Sequence, residues 1–85
     1  MVLYLRSSGA KTRVGFAVGR RVGGAVVRNR ARRLLKEAWR TLSPQVLEGF
    51  DVVCVGLPAM RGARQGEVRE ELRELLARGK ALSTE

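Results

Sequence analysis

Between Arg20 and Arg40 the chain carries eight basic side chains: Arg20, Arg21, Arg28, Arg30, Arg32, Arg33, Lys36 and Arg40. Their chemistry is phosphate recognition, and arginine predominates because its planar fork grips a phosphate through two parallel hydrogen bonds. Placed at 100° steps on a helix, Asn29, Arg33, Lys36 and Arg40 (i, i+4, i+7, i+11) fall in one row, with Arg28 and Arg32 on its flank. Arg28–Arg32, Arg32–Lys36 and Arg33–Lys36 are like-charge pairs, each costing a free helix a few tenths of a kcal/mol. A merely solvated face mixes its signs, whereas this one has only Glu37 to relieve it. Backbone amides at the Gly23-Gly24 helix start add a further place for a phosphate.

Other chemistries lack their residues. There is no histidine, which excludes Ser-His, Cys-His and histidine–metal mechanisms. The carboxylates between positions 67 and 74 decorate one predicted helix, and Glu37, Glu48 and Asp51 are scattered, so no acid–base pair is evident. Gly15, Gly19, Gly23 and Gly24 lack the spacing and the Gly-Lys-Ser/Thr ending of a phosphate-binding loop. The single cysteine, Cys54, sits in an apolar run and reads as a small buried hydrophobe in a reducing compartment. No metal site and no cofactor bound by protein residues alone is expected. What remains is binding.

The charge is segregated. The first 36 residues hold ten Lys and Arg and no acid, while the remaining 49 hold seven basic and eight acidic residues. A net +9 drawn entirely from one segment is the footprint of a polyanion partner, because clustered cations gain affinity by releasing condensed counterions. Eighty-five residues, 45% of them hydrophobic, make one small domain, residues 1–85. No run approaches a membrane span, and Met1 to Leu5 is too short for a signal-peptide core. The chain reads as cytoplasmic.

The elements that position these residues follow from periodicity. Val2 to Leu5 is β-prone and stops at the loop composition Arg6-Ser7-Ser8-Gly9-Ala10-Lys11. In Arg13 to Gly19, bulky Val14, Phe16 and Val18 alternate with Gly15, Ala17 and Gly19, giving a strand with one nearly bare face. That bareness suits either close helix packing or an extended nucleic-acid strand needing backbone-level access. A helix runs from about Ala25 to Leu42 and ends at Ser43-Pro44, with Ala31, Leu34, Leu35, Ala38, Trp39 and Leu42 as its core stripe. Asp51 to Leu57 is a continuous apolar run, read as a central strand covered on both faces. Glu67 to Arg78 forms a second helix with Val68, Leu72, Leu75 and Leu76 inward, Glu70–Arg73 and Glu74–Arg78 paired, and Gly79 closing it. Ala81 to Glu85 reads as a frayed tail. The order strand, strand, helix, strand, helix describes a small α+β sandwich. Phe16 and Trp39 belong to the core, while Tyr4 suits core or base stacking equally. Strand plus basic helix without a helix-turn-helix pattern favours RNA over duplex DNA.

The run Arg20-Arg21-Val22-Gly23-Gly24-Ala25-Val26, followed by Arg28-Asn29-Arg30-x-Arg32-Arg33-Leu34, resembles the signature of the bacterial ribonuclease P protein. Arg13-Val14-Gly15, Glu37-Ala38 and the strand beginning at Asp51 extend the similarity over nearly the whole chain. The resemblance implies an accessory subunit of a tRNA 5′-maturation endoribonuclease whose catalysis is carried by RNA. Its partners would be that catalytic RNA and precursor tRNA, with Mg²⁺ accompanying the RNA, and with no membrane and no protein partner required. It places Arg28, Asn29, Arg30, Arg33 and Lys36 against the catalytic RNA, and Val2, Tyr4, Ala17 and Arg21 in a cleft for the single-stranded 5′ leader. It also implies a left-handed crossover through the basic helix, against the usual rule.

Three features depart from the family pattern. Gly24 stands where Asn is usual, and Val55-Gly56-Leu57-Pro58 lacks the arginine common before that proline. The family also places a helix and a strand ahead of the segment equivalent to Val2-Leu3-Tyr4, and these 85 residues hold neither. The expectation is a shallow leader site and a marginal fold that RNA binding stabilises. Two other classes compete: a free-standing RNA-binding module, such as a ribosome-associated protein or RNA chaperone, and a membrane-surface protein using a basic amphipathic helix. The first explains the charge segregation but not the ordered Arg-Asn-Arg context. The second needs apolar helix residues that the domain core already requires.

Overall fold

In the computed structural model, which describes residues 1–83, the expected element order is found. Strand β1 spans Val2–Ser7, β2 Arg13–Val18, helix α1 Ala25–Leu42, β3 Phe50–Gly56 and helix α2 Gln65–Arg78. Short 3₁₀ turns occupy Arg20–Val22, Ser43–Gln45 and Pro58–Met60, two of them with proline in the first two positions, where its fixed φ suits a first turn.

The last strand in sequence is the middle one in space. The sheet order is β1-β3-β2, with β1 antiparallel and β2 parallel to β3. A parallel pair needs a long crossover, and α1 supplies it. The cross-strand register puts Leu3, Cys54 and Phe16 in one row, and Leu5, Val52 and Val14 in the next. These rows face the helices. Val22, Leu35, Ala38, Val52, Cys54, Leu72 and Leu76 are almost wholly buried between the two layers. Full burial of a leucine such as Leu35 contributes about 1.5–3 kcal/mol. Phe16, Leu34 and Trp39 pack against this core, as their periodicity requires. Burial also pushes the Cys54 thiol up to about 12, which leaves it protonated and unreactive.

The structure corrects several expectations. Strand β1 does not stop at Leu5 but runs through Arg6 and Ser7, which pair with Asp51 and Phe50 of β3. Strand β3 is central but covered on one face only: Val52 and Cys54 are buried while Val53 is 41% exposed. An apolar run in sequence does not distinguish two covered faces from one covered face opposite an apolar open one. The segment after α2 is not frayed as far as Ser83. Ala81 is fully buried, Val46 and Leu82 form an antiparallel bridge, and Leu47 N–H and Ser83 N–H donate to Ala81 and Gln45 carbonyls. Thr84 and Glu85, the rest of the expected tail, lie outside the described residues. Finally, α2 begins at Gln65, two residues early, because the Glu67 carboxylate accepts from the Arg64 N–H at 2.9 Å and caps the first turn.

Candidate nucleic-acid interface

Two surfaces carry the expected residues. On α1, Asn29, Arg32, Arg33 and Lys36 line one shallow groove, as the helical spacing predicts. Arg32 Nη1 donates to Asn29 Oδ1 at 3.1 Å, which turns the Arg32 fork along the row. Arg40 pairs with Glu37 at 2.6 Å, so its charge is already offset. Arg30 leaves the row and donates from Nη2 to the Ala63 carbonyl at 2.8 Å, tethering α1 to the segment before α2. Arg28 lies at the boundary of core and row, half-buried, with a buried Nε that has no protein partner. Hence Arg33 and Lys36 are exposed with no hydrogen bond or ion pair among the described residues, while Arg30 and Arg40 are partly committed.

At the start of α1, Gly24 offers no side-chain cap and the first turn contains no acid. The Arg28 N–H makes the first helical bond, to the Gly24 carbonyl at 2.9 Å. The amides of residues 25–27 therefore have no helical acceptor and face outward with the positive end of the helix dipole.

The second surface is the sheet face away from the helices, which no element covers among the described residues. Register makes it three rows: Val2–Val55–Ala17, Tyr4–Val53–Gly15 and Arg6–Asp51–Arg13. Tyr4 is 61% exposed, so of its two readings the structure supports the open one. The bare residues Gly15 and Ala17 lie on this face too, opposite the packed Val14 and Phe16. Arg20 and Arg21 are exposed in the turn that follows β2, beyond the Ala17 row.

The opposite end of this face was not anticipated. Arg6 and Arg13, from the two outer strands, both bind Asp51 on the central one. Arg6 Nη2 donates at 2.7 Å, and Arg13 donates from Nε at 3.0 Å and Nη2 at 3.2 Å. The hydrogen bond from Arg13, then that from Arg6, holds the Asp51 carboxyl at about 2. Strand parity alone puts Arg6 with Tyr4 and Arg13 with Ala17; that Asp51 lies between them needs the register, which is non-local.

Residues 1–80 match the family model Ribonuclease P. The chain belongs to the ribonuclease P protein family. It is similar to the ribonuclease P protein component of Symbiobacterium thermophilum, with 44% identity over 80 residues covering 94% of this chain and 70% of that protein. The component from Oceanobacillus iheyensis is 32% identical over 78 residues, covering 89% of this chain and 64% of its own length. The chain thus spans about two thirds of the length of these relatives. Among solved structures, the RNase P protein from Thermotoga maritima superposes with a TM-score of 0.79 at 30% identity, over 89% of this chain and 74% of that one. The Staphylococcus aureus RNase P protein shares the fold, with a TM-score of 0.81 at 18% identity over 95% of this chain and 75% of that one.

Within the ribonuclease P fold, two departures of this chain acquire a geometry. Gly24 sits at φ −71°, ψ −178°, an ordinary helix N-cap conformation that Asn would also adopt. Leu57, the residue before Pro58, is an exposed leucine following Val53 and Val55 at strand spacing.

Proposed function

We propose that this chain acts as the protein subunit of ribonuclease P, with α1 docked on the catalytic RNA and the open sheet face receiving the 5′ leader of precursor tRNA. The observation that carries this reading is the separation of the two surfaces: a basic helical row, and an open sheet face that is nearly bare along β2 and cationic at both ends. A flat, small-residue floor beside an exposed tyrosine suits a single strand, whose bases stack while its phosphates meet the flanking cations. In this reading Arg28, Asn29, Arg32, Arg33 and Lys36 contact the catalytic RNA, and Val2, Tyr4, Ala17 and Arg21 contact the leader. Arg20 and Arg30 add positive field, and Arg40, offset by Glu37, adds less. The chemistry is left to the RNA and its divalent cations. In this reading the divalent cations are held on RNA phosphates.

The test is reconstitution with the cognate catalytic RNA and Mg²⁺. Tyr4→Ala is expected to lower the precursor-to-mature tRNA affinity ratio while leaving affinity for the catalytic RNA intact; Arg33→Ala is expected to do the reverse. Cleavage of precursor tRNA by purified protein free of RNA would overturn the reading. So would capture of many unrelated RNAs with equal affinity, which is the behaviour of a free-standing RNA-binding module.

A further inference from the structure

We infer that Arg6, Lys11 and Arg13 form a distinct phosphate subsite at the far end of the open face, taking a backbone phosphate of leader nucleotides beyond those over Tyr4. This rests on the proposed seating of the leader on that face.

The first support is preorganisation. A flexible arginine loses side-chain entropy when a ligand immobilises it, but here Asp51 already holds two guanidiniums beside one another across three strands. Of five N–H donors on each guanidinium, Arg6 commits one and Arg13 two to the carboxylate, and both side chains remain more than three-quarters exposed. The uncommitted donors are available to an anion.

Charge is the second. One carboxylate stands among three cations, since Lys11 of the β1–β2 loop lines the same depression as Arg6, Arg13 and Asp51. The nearby Glu48 is held on the Thr12 N–H at 2.9 Å and leaves the cluster net positive. Stapling the two outer strands to β3 takes both arginines, yet exposed ion pairs contribute little to stability. The lysine exceeds that need altogether.

Continuity is the third. Two adjoining depressions share Arg6, Arg13 and Asp51. One runs into the loop past Ser7, Ser8 and Lys11, and the other runs onto the open face past Gly15 and Val53. An unbroken track therefore leads from the Tyr4 row to the cationic end. From Ala17 to Arg13 the face extends about 13 Å, at the usual strand rise. An extended single strand crosses that length within a few nucleotides.

The experiment uses protein assembled with its catalytic RNA and three ligands: mature tRNA, a precursor whose leader ends over Tyr4, and a precursor whose leader reaches past Arg6. The double variant Arg6→Ala/Lys11→Ala is expected to weaken binding of the long-leader precursor about tenfold, the loss of one charge-assisted contact. Its salt slope should fall by about one for each phosphate contact removed. Affinities for the short-leader precursor and mature tRNA should stay at the wild-type value. Arg6→Lys should recover part of the loss, and Arg78→Ala on α2 should change none of the three. Equal weakening of all three ligands, weakening of none, or loss of catalytic-RNA affinity would overturn the subsite. If the wild type itself fails to prefer precursor over mature tRNA, the seating of the leader falls instead, and the subsite with it.

Discussion

Arg33 and Lys36 stand on α1 with no hydrogen bond or ion pair among the described residues, whereas Arg40 is occupied by Glu37 and Arg73 by Glu70. A free cation releases its full share of counterions when it meets a phosphate; a paired one has already lost part of that advantage. Arg33→Ala and Lys36→Ala should each weaken catalytic-RNA binding and lower the salt slope by about one. Arg40→Ala should do less, and Arg73→Ala nothing, as titrations at several salt concentrations will reveal. Asp51 makes a prediction about acid. Its folded-state carboxyl is lowered from 3.8 to about 2, so its contribution to stability is complete above pH 4 and is lost as pH falls toward 2. Asp51→Asn should lower the denaturant midpoint at neutral pH and flatten its decline between about pH 4 and pH 2. Glu70, lowered by Arg73, will leave some residual slope in the variant.

At the scale of elements, the ends of the two helices explain which glycines matter. Gly23 has φ 153° and ψ −168°, a region essentially closed to other residues, and a Cβ there would lie 2.8 Å from Val27 Cγ1. Gly24, next to it, has room and an ordinary conformation. Gly23→Ala should therefore cost about 1–3 kcal/mol, while Gly24→Asn should add a few tenths by capping α1; paired melting curves test both. The end of α2 differs from its expected form. Gly79 is not the left-handed closing residue: its φ is −80°, and Lys80 takes φ 58° instead. Lys80 N–H donates to Ala77 O and Ala81 N–H to Leu76 O, a complete Schellman closure built around a lysine. A Cβ on Gly79 would meet the end of the Leu5 side chain, which would have to turn aside. Lys80→Gly should stabilise the fold by about 0.5–1 kcal/mol.

Across the whole molecule, what was legible in the sequence was local. The limits of α1, its core stripe and its basic row all follow from a 3.6-residue period, and the bare face of β2 from a two-residue one. What was hidden depends on partners distant in sequence: the open side of β3, the Arg6–Asp51–Arg13 row, and the docking of Leu82 on Val46. Each is decided by which strand lies beside which, and no periodicity carries that information. The strand order has a consequence for how the protein is made. Since among the described residues β1 and β2 pair only with β3, neither has a hydrogen-bonding strand partner within residues 1–49 as they emerge from a ribosome, and β1 and β2 form no hairpin with each other ahead of β3. In that interval residues 1–49 offer one helix weakened by its own like charges and two strands without their partner. A fragment of residues 1–49 should accordingly give a weak helical signal in circular dichroism with no sheet and no fixed aromatic packing. Folding would then complete in one late step as β3 slides between two strands made long before it.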